Sequence, residues 1–491
     1  MKLKDRTVSG IAWSVLTQVG TVGISFLTTF VLARLLSPDE FGLLGMATVF
    51  TGVIAVFRNL GLGASIVQDR EISPEQLSGI FWLNGGVSVF LALITIASAP
   101  LVSRFYNKPS IASIMMTLSI SLPLAALAMV PGALLTKRMA FKKLAFIRNM
   151  AMAAGSAIGI TTAFMGFGVW ALVFQRVTHT LASTLLQWII VPWTPAWTLP
   201  YRKIKKQLHF GINLQAGSLL NYSSRNLDDL LIGKVVGAEA LGTYQIAYRL
   251  MLWPLQKVSR VVGQVMFPAL STIQNDKERV KRVFLSAISS IALVTFPAVL
   301  GLWVVAPSAV RALLGEKWAD VIPIFQVLCV LGLTQSIATN TGWIFLSQGR
   351  TDIRLKLQMG FSALFIVSFA IGINWGTIGV AACYAVANVL LTPIQFHVAG
   401  RLINMTFGDV VRAIAGIFGC AAGMATMVWT AGLLLPSDWP HWAYLAVQVP
   451  LGVTVYLASL YIFKVRAYGE VKATLIEQWY IRKAAPAKAK T

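Results

Sequence analysis

Long apolar runs separated by short polar ones make up almost the whole chain. They lie near 11–34, 41–67, 77–102, 111–135, 144–165, 168–191, 208–235, 241–270, 283–305, 320–347, 355–373, 377–399, 410–434 and 442–463. Each is about 20 residues or more, enough for a helix to cross a hydrocarbon layer roughly 30 Å thick. The pattern predicts an all-α integral membrane protein with about 14 transmembrane helices. The opening "MKLKDRTVSG" leads into a run too long for a signal-peptide core and without a small-residue cleavage site, so the first helix is expected to stay in the protein.

Composition agrees with this reading: 56 % of the 491 residues are hydrophobic, 12 % are charged and the mean hydropathy is +0.72. Soluble domains carry roughly 25 % charged residues. A net charge of +23 would raise the question of nucleic acid in a soluble protein, but here the basic residues alternate by loop. With the N-terminus inside, 28 basic residues fall on inner connections and six on outer ones. That asymmetry places both termini in the cytoplasm and predicts no nucleic-acid partner.

Seven basic residues remain within the spans: Arg58, Arg148, Arg176, Arg225, Arg249, Lys257 and Arg260. Only two acids join them, Asp228 and Asp229. A charge near the bilayer centre costs from about 3 to more than 10 kcal/mol, so such groups face a bundle interior or a wet cavity, or else snorkel to an interface. Snorkelling suits Arg148, close to the inner end of its helix, and is an alternative for Arg249. Arg58, some eighteen residues past the outer end of its helix, is expected in a cavity. An interior rich in cations calls for an anion, and the planar fork of arginine suits phosphate.

An internal repeat gives the organisation. "RLLSPDEFG" (Arg34 to Gly42) and "KVVGAEALG" (Lys234 to Gly242) match class for class at an offset of 200. By the same offset Gln18, Thr21, Ser25 and Thr28 correspond to Ser218, Asn221, Arg225 and Asp228, each set on one helical face. Interhelical hydrogen bonding is the plain alternative for such stripes, and the two aspartates could neutralise Arg225 at one-turn spacing. The expected domains are an N-lobe (1–200, helices 1–6), a C-lobe (201–402, helices 7–12), helices 13 and 14 (403–463) and a basic cytoplasmic tail (464–491). A six-helix repeat keeps its orientation, so the lobes are expected to be related by a pseudo-twofold along the membrane normal. Prolines at 123, 131, 254, 268, 297 and 393 offer places to bend.

Four stretches carry a family likeness: "GLGASIVQDREIS" (61–73), "NLDDLLIGKVVGAEALGTYQIAYRL" (226–250), "VMFPALSTIQND" (265–276) and "LGEKWADVIPIFQVLCVLGL" (314–333). With them the chain resembles bacterial polysaccharide exporters of the multidrug/oligosaccharidyl-lipid/polysaccharide superfamily, of the colanic-acid-exporter type. The resemblance implies a flippase of the cell inner membrane that carries an undecaprenyl-pyrophosphate-linked oligosaccharide from the inner to the outer leaflet. It implies alternating access coupled to H+ or Na+, with membrane lipids, a polysaccharide polymerase and the export machinery as partners. Pyrophosphate would be held by Arg58, Lys257, Arg260 and Arg225, and sugars by Asn59, Gln18, Thr21, Asn221, Gln256 and Arg176. The family often has an aspartate just before the "GLGxxxxQ" run, where this chain has Arg58 and Asn59. Ion coupling is therefore expected at Asp228 and Asp229.

Other chemistry is thinly represented. Cys329, Cys383 and Cys420 stand singly, and the four histidines form no ligand pattern, so neither a metal nor another cofactor is expected and the chain is not expected to be an enzyme. Glycine-rich "FGLLGMA" and "GINLQAG" lack a Walker lysine. A drug exporter of the same superfamily and a membrane-embedded lipid-sugar glycosyltransferase or polymerase are the alternatives. Trp193, Trp197, Trp318, Trp439 and Trp442 lie near span ends, where an aromatic belt is expected. The tail reads as a basic surface helix on anionic lipid, with disorder as its alternative.

Overall fold

The computed structural model describes residues 20–21, 23–58, 62–69, 71–198, 222 and 226–469; for 256, 257, 260, 261 and 264 it describes the backbone only. Every predicted run that falls among them is helical, and no strand occurs among the described residues. The helices are α1 (Gly23–Leu35), α2 (Pro38–Arg58), α3 (Leu62–Gln68), α4 (Pro74–Tyr106), α5 (Ser110–Ser119), α6 (Ser121–Leu127), α7 (Met129–Lys137), α8 (Phe141–Phe164) and α9 (Val169–Ile190). They continue with α10 (226–235), α11 (Ala238–Thr272), α12 (Lys277–Leu313), α13 (Val321–Ala338), α14 (Gly342–Ser347), α15 (Thr351–Gly372), α16 (Gly376–Gly400), α17 (Phe407–Leu434) and α18 (His441–Ile462). Nine segments among the described residues are long and apolar enough to cross a membrane. Two long helices, α9 and α11, are not among them, because polar residues interrupt their apolar faces.

Contacts divide the chain into two compact units, Met1–Gln245 and Ile246–Thr491. The lobe boundary expected at 200/201 and the tail from 470 onward lie outside the described residues.

In the first unit, parallel α1 and α8 are tied by two hydrogen bonds in one register. Thr21 Oγ1 donates to Asn149 Oδ1 and Thr28 Oγ1 to Ser156 Oγ, both at 2.7 Å and both across 128 residues. The helix of the first polar stripe thus uses two of its hydroxyls to hold its neighbour, as side chains do where water is absent. The small residues Ala151, Gly155, Gly159 and Ala163, four apart on α8, are buried, and two of them meet α9 closely. A Cβ at Gly155 would sit 2.7 Å from the carbonyl oxygen of Gln175, and one at Gly159 would sit 2.8 Å from Gln175 Cβ. Small residues let the two backbones approach where no hydrophobic force drives helices together in lipid.

Prolines act in two ways. The predicted run 111–135 is interrupted at Ile120 and Ala128, three residues before Pro123 and Pro131. Two carbonyls at the second interruption are taken up by α9: Thr184 Oγ1 donates to Leu124 O at 2.9 Å and Trp188 Nε1 to Leu127 O at 3.1 Å. Leu127 O is the group that Pro131, lacking an N–H, leaves free. Elsewhere the helix runs through, as at Pro254 and Pro268 in α11, Pro297 in α12 and Pro393 in α16.

The repeat appears as a reciprocal contact. A Cβ on Gly42 would lie 1.7 Å from the carbonyl oxygen of Ala238, and one on Gly242 would lie 1.9 Å from that of Pro38. Residues 38 and 238, like 42 and 242, are partners at the offset of 200. Nearby, Lys234 Nζ donates to the carbonyl of Phe105 and lies 4.8 Å from the centre of its ring.

The second unit packs α12 against α17 and α18 around Phe284, Phe296, Ile417 and Tyr456, whose hydroxyl donates to Leu293 O at 2.8 Å. A polar ladder joins α13 and its short continuation to α16: Thr334 to Asn388 (2.9 Å), Gln335 to Tyr384 (3.1 Å) and Gln395 to Thr341 (2.7 Å). Among the tryptophans, Trp197 and Trp442 are exposed, while Trp318 is completely buried and belongs to the core rather than to a belt. Its single-turn 3-10 helix, Glu316–Trp318, turns the indole inward.

Gly42→Ala and Gly242→Ala each place a methyl where a carbonyl already sits, so each is expected to destabilise the folded protein by about 3 kcal/mol or more. Gly423→Ala, whose Cβ meets nothing within 4 Å, is the matched control and is expected to be neutral. Thermal denaturation of the detergent-purified variants, followed by size-exclusion chromatography, measures the difference.

Candidate functional site in the first unit

Helix α9 sets the geometry. At about 100° per residue, Arg176, His179, Thr180, Ser183 and Gln187 fall on one face, and Leu181, Leu185 and Ile189 on the opposite one. All three apolar residues are exposed, as side chains toward acyl chains would be. One flank packs on α8 through Gln175 and His179, and the other carries Thr184 and Trp188 to the carbonyls of α6. Arg176 lies on the face opposite Leu181, Leu185 and Ile189. A cation on that face is set opposite the apolar one, which is where a charge in a membrane helix avoids hydrocarbon.

The opposing groups come from α2, α10, α11 and the single described residue Tyr222. Tyr222 lies within electrostatic range of Arg176 and of Asp229. Its hydroxyl is 3.1 Å from the carbonyl oxygen of Thr48 and 3.2 Å from that of Val49, and it can donate to either. The ring needs Gly52, where a Cβ would be 1.9 Å from the Tyr222 hydroxyl. Three turns of α2 thus present Gly42, Gly45 and Gly52 to Ala238, Gln245 and Tyr222.

Asp228 is buried at 4 % exposure. Its Oδ2 accepts from the Tyr244 hydroxyl at 2.8 Å and its Oδ1 from the Asp229 N–H at 3.0 Å. Asp229 Oδ2 accepts from Gln245 Nε2 at 2.9 Å. Gly237, at φ +115°, turns the chain between α10 and α11 so that residues sixteen apart face each other. Asp229 also acts electrostatically on the Tyr106 hydroxyl, which is buried without a hydrogen-bond partner among the described residues.

Of the residues expected from sequence, the first unit gives Asp228 and Asp229 hydrogen-bonded partners on α11, sets Arg176 on the polar face of α9 and engages Thr21 with Asn149. Arg58 closes the last turn of α2, where a cation also meets the negative end of the helix dipole. Lys257 and Arg260 lie one turn apart on α11 in the second unit; their side chains and that of Gln256 are outside the description. Gln18, Asn59, Asn221 and Arg225 lie outside the described residues. Sequence reasoning passed over His179, Tyr222, Tyr244 and Gln245. His179 was open to detection, three residues from Arg176 on the same face. Tyr244 and Gln245 had no local signal, because their partners are sixteen residues away. No group of three metal-ligating side chains occurs among the described residues.

The fold is that of a multi-pass membrane protein. It superposes on the structure titled lipid II flippase MurJ, inward closed conformation, with a TM-score of 0.74 over 92 % of this chain and 98 % of that one. At 14 % identity this likeness concerns the fold alone. The chain belongs to the polysaccharide biosynthesis protein family, whose model matches residues 31–323. It is 29 % identical to the lipopolysaccharide biosynthesis protein WzxC of Escherichia coli K12, covering 84 % of each chain. It is 27 % identical to the teichuronic acid biosynthesis protein TuaB of Bacillus subtilis 168, covering 97 % of this chain and 99 % of that one. These matches agree with the likeness to polysaccharide exporters carried by the four stretches quoted above.

Tyr244→Phe removes the donor to a buried carboxylate and is expected to destabilise the protein by about 1–3 kcal/mol. Asp228→Asn keeps an oxygen for the tyrosine and is expected to cost less. The midpoint of thermal unfolding in detergent orders the two.

Proposed function

We propose that this protein is a transporter that moves a lipid-linked oligosaccharide across the membrane for polysaccharide assembly. Its substrate is an undecaprenyl-pyrophosphate-linked repeat unit, carried from the inner to the outer leaflet of the cytoplasmic membrane. Family membership supports the substrate class. The observation that carries the reading is the polar face of α9, where Arg176, His179, Thr180, Ser183 and Gln187 lie opposite the exposed Leu181, Leu185 and Ile189. An anionic headgroup with polar sugars finds there what hydrocarbon denies it.

Arg58, Arg225, Lys257 and Arg260 are assigned to the pyrophosphate. Arg176, Gln18, Thr21, Asn59, Asn221 and Gln256 are assigned to the sugars. The reciprocal contact at Gly42 and Gly242 supports two six-helix lobes related by a two-fold axis, followed by two further helices. Alternating access then amounts to rocking one lobe against the other. Asp228, a buried carboxylate with a tyrosine donor, and Asp229 are assigned to the coupling ion, H+ or Na+. The acidic pair faces a basic interior, so its charge state alters the field that the phosphate meets.

Proteoliposomes loaded with a fluorescent pyrophosphoryl lipid-linked oligosaccharide provide the test. Wild-type protein is expected to move the lipid between leaflets, and Arg58→Gln to slow it by about ten- to a hundredfold, the value of roughly 1.5–3 kcal/mol for a hydrogen bond to a charged group. Leu181→Ala, on the lipid face of α9, is expected to leave the rate unchanged. Transport of an organic cation in place of the lipid, or wild-type rates from an Arg58→Ala, Arg260→Ala double variant, rejects the proposal.

A further inference from the structure

The end of the bundle where α17 begins and α18 gives way to the chain after it carries a groove of about 490 Å3, within the range of pockets that hold small molecules. Arg412, Arg466, Gly416, Gly419 and Phe463 are among the residues that line it, and Phe463 is 72 % exposed. A Cβ at Gly416 would meet only Val465, at 3.9 Å, and one at Gly419 would meet nothing within 4 Å. The glycines therefore leave an apolar trough whose two cations sit beside it. The acid nearest in sequence to Arg412 is already neutralised: Asp409 caps α17 together with Thr406 and pairs with Lys281 at 2.8 Å. Arg412 has no hydrogen-bond or ion-pair partner among the described residues. At the end of α18, Tyr461, Ile462 and Phe463 are 69–72 % exposed, as residues against acyl chains are.

We propose that this groove binds an anionic glycerophospholipid, one acyl chain lying over Gly416 and Gly419 and the phosphate on Arg412 and Arg466. Guanidinium meets phosphate by charge-assisted, bidentate hydrogen bonds, and basic pockets between helices at the membrane surface suit such headgroups. A zwitterionic lipid gains less, since its choline offsets the phosphate charge. The site belongs to the second unit and is separate from the residues assigned to transport.

Native mass spectrometry of the full-length protein, titrated with dioleoyl phosphatidylglycerol or dioleoyl phosphatidylcholine, reads the first lipid bound. Wild-type protein is expected to prefer phosphatidylglycerol, and the Arg412→Gln, Arg466→Gln double variant to bind it about thirtyfold more weakly, from roughly 1 kcal/mol for each cation. Gly419→Leu keeps both charges but fills the trough, and is expected to lose the same lipid. Its Cβ meets no neighbour, and the two glutamines stand on an exposed surface, so both variants are expected to keep the wild-type thermal midpoint. Equal affinity for the two lipids, or unchanged phosphatidylglycerol binding in both variants, overturns the proposal, as does preferential occupation by a pyrophosphoryl polyprenyl lipid. Because no transport is read, failure here leaves the transport proposal untouched.

Discussion

A helix that carries Arg176 into a membrane must keep its guanidinium away from acyl chains. In α9 four sides have four different duties. Small residues of α8 clasp one flank, carbonyls freed near Pro131 bind the other, leucines face lipid and the polar face looks inward. A charge turned toward hydrocarbon would cost several kcal/mol. Under the proposed function, the arrangement that makes α9 tolerable in a bilayer also presents Arg176 where the sugars of the substrate can use it.

The glycines of α2 serve the same end. Gly42, Gly45 and Gly52 remove side chains along one face, and α10 and α11 come close enough for Tyr222 to reach a backbone carbonyl of α2 and for Gln245 to pack against it. Asp228 and Asp229 thereby gain partners from the hairpin that follows them instead of facing lipid. The Gly42 and Gly242 contact brings backbone to backbone, with no side chain interposed at either point. A contact of this kind is sharply defined, because a shift of about 1 Å in either direction opens a gap or creates a clash.

Much of this was legible in the sequence, for reasons that differ by level. Span-length apolar runs reported the helices directly, since lipid accepts little else. The offset of 200 marked Gly42 and Gly242 as equivalent, but not that they touch. Prolines 123 and 131 foretold interruptions, whereas 254 and 268 did not produce them; whether a proline breaks a helix depends on what neighbours supply to the freed carbonyl. Trp318, near a span end, reads from sequence as an interface residue, and its burial reflects a short 3-10 turn that local pattern does not encode. The basic residues within spans were countable, and the face each occupies became visible for Arg176 only once its lipid-facing neighbours were known.

Accessibility of α9 to water tests the central claim most directly. In a variant with Cys329, Cys383 and Cys420 replaced, single cysteines at 176, 179, 183 and 187 are expected to react with a membrane-impermeant thiol reagent in proteoliposomes, and those at 181, 185 and 189 to stay unreactive. Labelling at 181, 185 and 189 with none at 176 or 183 would contradict it, because the arginine face would then be the one turned to lipid.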